Sequence, residues 1–185
     1  RPRLPLRSTE LIVNGRHDLR IGLELGRELA SANRVELLCS FLKWSGVRLI
    51  EAALGDFLAR HPGGLRVLTT TYMGATERRA LDRLRELGAD IRISYDHANT
   101  RLHAKAWLIR RDSGFDTAYI GSSNLSHAAM LDGLEWNVRF SACDNAAVID
   151  KFEATFNHYW DEADFVDYCP EQFQRASDAA SAPTP

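Results

Sequence analysis

The sequence predicts an α/β fold: a layered sandwich with a central mixed β-sheet flanked by helices. Helical and strand-like patterns alternate through the first half of the chain, which is how helices come to cover a partly parallel sheet. The second half is a run of short strands closed by one long helical stretch, so antiparallel pairs join the same sheet. The chain has 185 residues, 45% of them hydrophobic and 26% charged, which fits one domain with a substantial core.

Element by element, residues 16–32 carry helical periodicity, with Leu19, Leu23, Leu25, Leu29 and Ala30 near one face. Residues 35–42 form a short apolar run, the pattern of a buried strand. Ser45 stands where an N-cap belongs, and a helix follows over 47–60 until His61, Pro62 and two glycines stop it. Residues 65–71 are a β-branched strand. Thr76 is placed to cap a charged helix over 77–87, which Gly88 ends. Strands are predicted at 91–95, 103–109, 117–120 and 134–140, with Ser113 and Gly114 turning between two of them. A loop or short helix covers 124–131, and a last helix runs over 145–160 with Val148, Phe152 and Phe156 on one side. The domain is expected over 15–168, with a linker or edge segment at 1–14 and a linker or tail at 169–185. The Pro-rich start and the Ala/Ser/Pro-rich close read as the edges of a domain within a longer polypeptide.

A net charge of −2 excludes a strongly basic chain. Lys43, Lys105 and Lys151 are the only lysines. The three cysteines, Cys39, Cys143 and Cys169, are scattered without a CxxC, which fits free thiols in a reducing cytoplasm rather than disulfides or zinc. No run of about 18 apolar residues exists, so no membrane span is expected.

Three clusters carry chemistry. His103 and Lys105 lie two apart on a predicted strand and so project to one side of it. Gly121, Ser122, Ser123 and Asn124 end the next strand, where a glycine allows close approach and the small polar side chains offer donors. Glu135 is the lone carboxylate in an otherwise neutral stretch. Each alone is ordinary: a chance His-x-Lys, a turn, a surface glutamate. Their order at the ends of successive strands is not.

On those residues the chain resembles the phospholipase D superfamily. Its signature is His-x-Lys, an aspartate five positions on, a Gly-Ser element with Asn, and a downstream Glu. His103, Lys105, Gly121, Ser122, Asn124 and Glu135 match it. The text of 100–107 and 118–126 is similar to a narrower branch, the phospholipase-D-like nuclease domains attached to bacterial DEAD/DEAH-type helicases and restriction-like proteins. Arg110 occupies the aspartate position, a departure from the pattern.

The resemblance implies a covalent mechanism without cofactor or metal. His103 attacks phosphorus, Lys105 and Asn124 hold the non-bridging oxygens, Ser122 adds a donor, and Glu135 orients the imidazole. Superfamily enzymes use a second histidine as acid and base, whereas here only His103 is followed two residues later by lysine. A two-fold homodimer supplies the second copy. Gly121, Ser123, Arg101, Arg110 and Trp107 are the expected substrate contacts, with Arg111 a further phosphate ligand, while for Trp107 packing in the core or a dimer contact is the favoured reading. His97 and His127 read as loop residues. The expected activity is DNA cleavage by a module covalently joined to helicase or other domains. Two alternatives stay open: a lipid phosphodiesterase or transferase, and a decayed nucleic-acid-binding or dimerisation module.

Overall fold

The structure, a computed structural model, describes residues 4–14, 19–96 and 102–181. Eight strands form one mixed sheet in the order β1-β7-β6-β5-β2-β3-β4-β8. They are β1 (Glu10–Val13), β2 (Arg34–Cys39), β3 (Leu65–Thr70), β4 (Asp90–Ser94), β5 (Lys105–Arg110), β6 (Thr117–Gly121), β7 (Trp136–Ser141) and β8 (Val166–Asp167). β2, β3 and β4 run parallel, linked by crossover helices, and the remaining pairings are antiparallel.

Helices α1 (Ile21–Leu29), α2 (Trp44–Arg60) and α3 (Arg78–Glu86) cover one face. Their apolar sides, among them Leu25, Leu54, Phe57 and Leu81, pack on Leu37, Val67, Trp107 and Tyr119 in the main core. Helix α4 (Ala142–Asp161) lies on the opposite face, where Ile149 and Phe156 meet Leu38, Leu68, Leu108 and Ala118. Strand alternation therefore sorts β5 cleanly: Trp107 and Ile109 face α1–α3, Leu108 faces α4.

Several local expectations are corrected. Ser45 does not cap α2; Lys43 is the N-cap residue, Glu77 accepts the Trp44 N–H at 2.8 Å, and the Ser45 hydroxyl instead accepts the His127 N–H at 3.2 Å. Thr76 is buried and ties Ser40 and Thr70 carbonyls together, while Glu77 is the N-cap residue of α3. Residues 170–181, expected as a tail, form helix α5 (Pro170–Ser181), because Phe173 is buried in the main core beside Tyr168. β1 is an edge strand paired with β7.

Among the described residues, no helix is long and apolar enough to cross a membrane.

Candidate active site

Four neighbouring strands deliver the expected residues to one end of the sheet. β2 ends at Cys39 directly opposite Lys105, where β5 begins; β6 ends at Gly121, opposite Asn137 near the start of β7. His103 thus sits just before β5, Ser122 and Asn124 just after β6, and Glu135 just before β7.

His103 and Ala104 are exposed, whereas Lys105 is only 8% exposed. The Lys105 ammonium lies 3.0 Å from Nδ1 and 3.4 Å from Nε2 of His103, and donates to the His103 carbonyl at 2.7 Å. Among the described residues no carboxylate pairs with it. Desolvation therefore holds its pKa below the ordinary lysine range, with Cys39 and Glu135 pulling the other way. A buried cation without a counter-ion is costly unless an anion completes it.

Asn124 uses its carbonyl to accept the Phe41 N–H at 3.2 Å, which leaves its amide NH2 for a ligand. Ser122 donates its hydroxyl to Glu135 Oε2 and accepts the Trp136 N–H at 3.1 Å, so the carboxylate is tethered to the β6–β7 connection. The expected bond from His103 to Glu135 is not made here; Ser122 holds that oxygen, and Lys105 is the imidazole's neighbour.

Phe41 escaped the sequence reading, hidden within an apolar run. Its ring stands edge-on to His103, centroids 6.1 Å apart, and 5.7 Å from Lys105 Nζ, so it walls both groups on one side. Cys39 lies behind them, its thiol pushed up to about 11 by burial.

The expected substrate contacts separate from this cluster. Trp107 shares Lys105's side of β5, but that side is core, and the indole is 5% exposed. Ser123 is buried, donating to the Ala129 carbonyl at 3.3 Å and accepting from Asn137 at 2.8 Å. A Cβ on Gly121 would lie 2.2 Å from the Trp136 carbonyl oxygen, so this glycine serves strand contact rather than ligand approach. Arg110 lies at the far end of β5, roughly 16 Å from Lys105 by strand rise, and pairs with Asp116 at 3.0 Å and Glu153 at 2.6 Å. Arg111 is buried against Glu28. Both arginines are spent on structure because acidic partners surround them. Ala104, between His103 and Lys105, is exposed and lines a cleft beside α4. Arg101 and His97 lie outside the described residues. His127 is exposed, its Nδ1 3.4 Å from Asp132. No group of three or more His, Cys, Asp or Glu is placed to hold an ion among the described residues.

An open imidazole thus lies beside an ammonium that no described carboxylate neutralises, at the strand ends of a mixed sheet between helix layers. That combination defines a phospholipase-D-type domain, in a superfamily of phosphodiesterases. Over residues 25–160 the chain matches the family described as cardiolipin synthase, PLD-like domain, and it belongs to that family and to the phospholipase D superfamily.

The fold is similar to the phospholipase D family member Nuc from Salmonella typhimurium, with a TM-score of 0.61 at 18% identity, covering 87% of this chain and 97% of that one. NucT from Helicobacter pylori gives 0.63 at 16% identity, covering 87% and 99%. A polyphosphate kinase from Porphyromonas gingivalis gives 0.57 at 17% identity over 81% of this chain and 25% of that one. Comparison with curated proteins gives no match.

Proposed function

We propose that this domain is a metal-independent nuclease acting on DNA through a phosphohistidine, with its active site completed in a homodimer. The observation that carries the reading is the Lys105 ammonium, largely buried, 3.0 Å from the exposed His103 and unpaired with any described carboxylate.

A lone pair of a neutral His103 ring nitrogen attacks phosphorus, and the P–N bond forms as the alkoxide leaves. Lys105 and the Asn124 NH2 bind the non-bridging oxygens, where charge accumulates. The partner protomer's copy of the same histidine protonates the leaving oxygen. It then takes a proton from water, whose oxygen displaces the imidazole and regenerates the enzyme. Glu135, tethered here by Ser122, exchanges that hydroxyl for a His103 ring N–H and orients the nucleophile.

The dimer reading is supported by an apolar row on the α4 face. Leu11, Val138, Ile120, Ala106 and Leu38 stand opposite one another across five strands. Leu11 is 44% and Ile120 40% exposed, and Trp136 nearby is 63% exposed. The row runs into a cleft of about 520 Å³ walled by Ala147, Val148 and Phe152 and touching Ala104, next to His103. Apolar surface beside an incomplete site is what a two-fold partner would cover. Attachment to a helicase or restriction-type protein rests on the sequence resemblance alone.

Plasmid DNA incubated with the protein in excess EDTA should be cleaved, His103→Ala should abolish cleavage, and acid-labile phosphate should be trapped on His103. Loss of cleavage on chelation would overturn the metal-independent mechanism. The cardiolipin-synthase description of the family and the apolar cleft favour a second reading, phosphatidyl transfer. Turnover of phosphatidylglycerol vesicles but of no nucleic acid would select it.

A further inference from the structure

The loop that supplies Phe41 to the active site continues through Leu42 and Lys43 into Trp44, the first residue of α2. Lys43 N–H donates to the Leu125 carbonyl at 2.9 Å, next to Asn124, and Glu77 N–H donates to the Leu42 carbonyl at 2.8 Å. With the Glu77 carboxylate on the Trp44 N–H, these bonds lock the loop, the start of α2 and the start of α3 together. Trp44 is therefore held at a fixed distance from His103, three residues beyond Phe41, at most about 10 Å of chain.

Three cations without a described carboxylate partner gather at this corner. Among the described residues, nine of the sixteen arginines meet a carboxylate, Arg34, Arg66, Arg83, Arg92 and Arg139 among them. Lys43, Arg48 and Arg79 are exposed and meet none among the described residues. Lys43 adjoins Trp44, Arg48 follows it by one helical turn, and the Arg79 guanidinium stacks on its ring at 4.2 Å. Between Trp44 and α3 lies a cleft of about 580 Å³, whose carboxylates Asp82 and Glu86 are engaged by Arg78 and Arg83. A guanidinium over an indole can keep N–H groups for a phosphate and leave aromatic or guanidinium surface for a base.

We propose that Lys43, Trp44, Arg48 and Arg79 form a subsite for single-stranded polynucleotide leading to the scissile phosphodiester. The cations take backbone phosphates, and the Trp44–Arg79 stack takes an unpaired base a few nucleotides from His103. The subsite rests on the nucleic-acid reading above and specifies the strandedness that reading leaves open.

Binding is read by fluorescence anisotropy of a labelled oligothymidine on the His103→Ala protein, which binds without turnover. Trp44→Ala should weaken binding about 5- to 100-fold, the effect of one lost base stack. Arg79→Ala should reduce the slope of log K against log salt by about 0.7, whereas Arg79→Lys should keep the slope and lose affinity. Trp44→Phe guards against misfolding: it keeps an aromatic platform and should stay within about tenfold of the parent. Unchanged affinity and salt slope in Trp44→Ala and Arg79→Ala overturn the subsite. So does a duplex bound as tightly as the single strand. If the protein with His103 intact neither binds nor cleaves any polynucleotide, the nuclease reading itself has failed; if it cleaves while these variants bind normally, only the subsite has.

Discussion

Two charged clusters occupy the same side of one sheet and treat charge in opposite ways. Behind α1, Glu28 is fully buried and accepts from Arg111, from Arg139 at 2.9 Å, from Tyr119 at 2.8 Å and from Thr117 at 3.2 Å. Two arginines share this one carboxylate, with Arg139 also donating to the Pro5 and Ser8 carbonyls, and burial beside it pushes the Tyr119 hydroxyl well above its ordinary range. At the strand ends, Lys105 is also buried, but among the described residues it meets an imidazole, a carbonyl and the Phe41 ring, and no carboxylate. A closed knot holds the sheet to α1; an unclosed one waits for an anion. Depth of burial alone does not separate structural charge from reactive charge, but the presence of a counter-ion does.

The largest expected effect falls on the open cluster. His103→Asn removes the proposed nucleophile and, on the nuclease reading, should lower the rate of DNA cleavage at least about 10⁴-fold. The melting temperature should stay within about 2 °C, because the side chain is exposed. A large loss of stability in that variant would break the contrast.

The closed cluster should respond the other way. Glu28→Ala strands two buried arginines and should cost about 3–5 kcal/mol, a fall in melting temperature of roughly 6–20 °C. Molecules still folded should cleave at close to the normal rate. Thermal denaturation and single-turnover rates on one preparation decide it.

A finer effect concerns pH. In the proposed mechanism Lys105 must be charged to hold a phosphate oxygen, and desolvation lowers its pKa from 10.5. The alkaline fall of kcat/KM should thus begin below the ordinary lysine range, with activity lost as pH rises through the depressed value. Lys105→Arg, which does not deprotonate in this range, should move that limb upward even at reduced rate. Stability has the opposite sign: between the folded and unfolded pKa the unfolded chain binds more protons, so this group favours folding as pH rises. An unmoved alkaline limb in Lys105→Arg would assign the titration elsewhere.

The strand positions of His103, Lys105, Asn124 and Glu135 were legible because period-two alternation and turn residues locate strand ends from local sequence. The fate of the arginines was not. Arg110 and Arg111 look like phosphate ligands until Glu153, 43 residues away from Arg110, and Glu28, 83 residues away from Arg111, fold against them. Counter-ions brought from distant elements have no local signature. Trp107 went to the favoured core reading: alternation put it on Lys105's side, and α1–α3 cover that side. Phe173 was masked by the polar composition around it, although one buried aromatic anchors α5.

The smallest effect uses Cys39 as a reporter between the two clusters. It stands opposite Lys105 in the β2–β5 register, packs in the same core as Tyr119, and lies 4.0 Å from the Asn124 carbonyl oxygen. Burial pushes its thiol up to about 11, while Cys143 is exposed. At pH 8 a disulfide reagent should therefore modify Cys143 first, Cys169 more slowly and Cys39 only as the sheet opens. Mass spectrometry of timed samples assigns each site. Because Cys39 labelling reports opening of the main core, Glu28→Ala should accelerate it and His103→Asn should leave it unchanged. Equal acceleration in both variants would mean that the two clusters share one cooperative unit, and the division between closed and open charge would be functional rather than energetic.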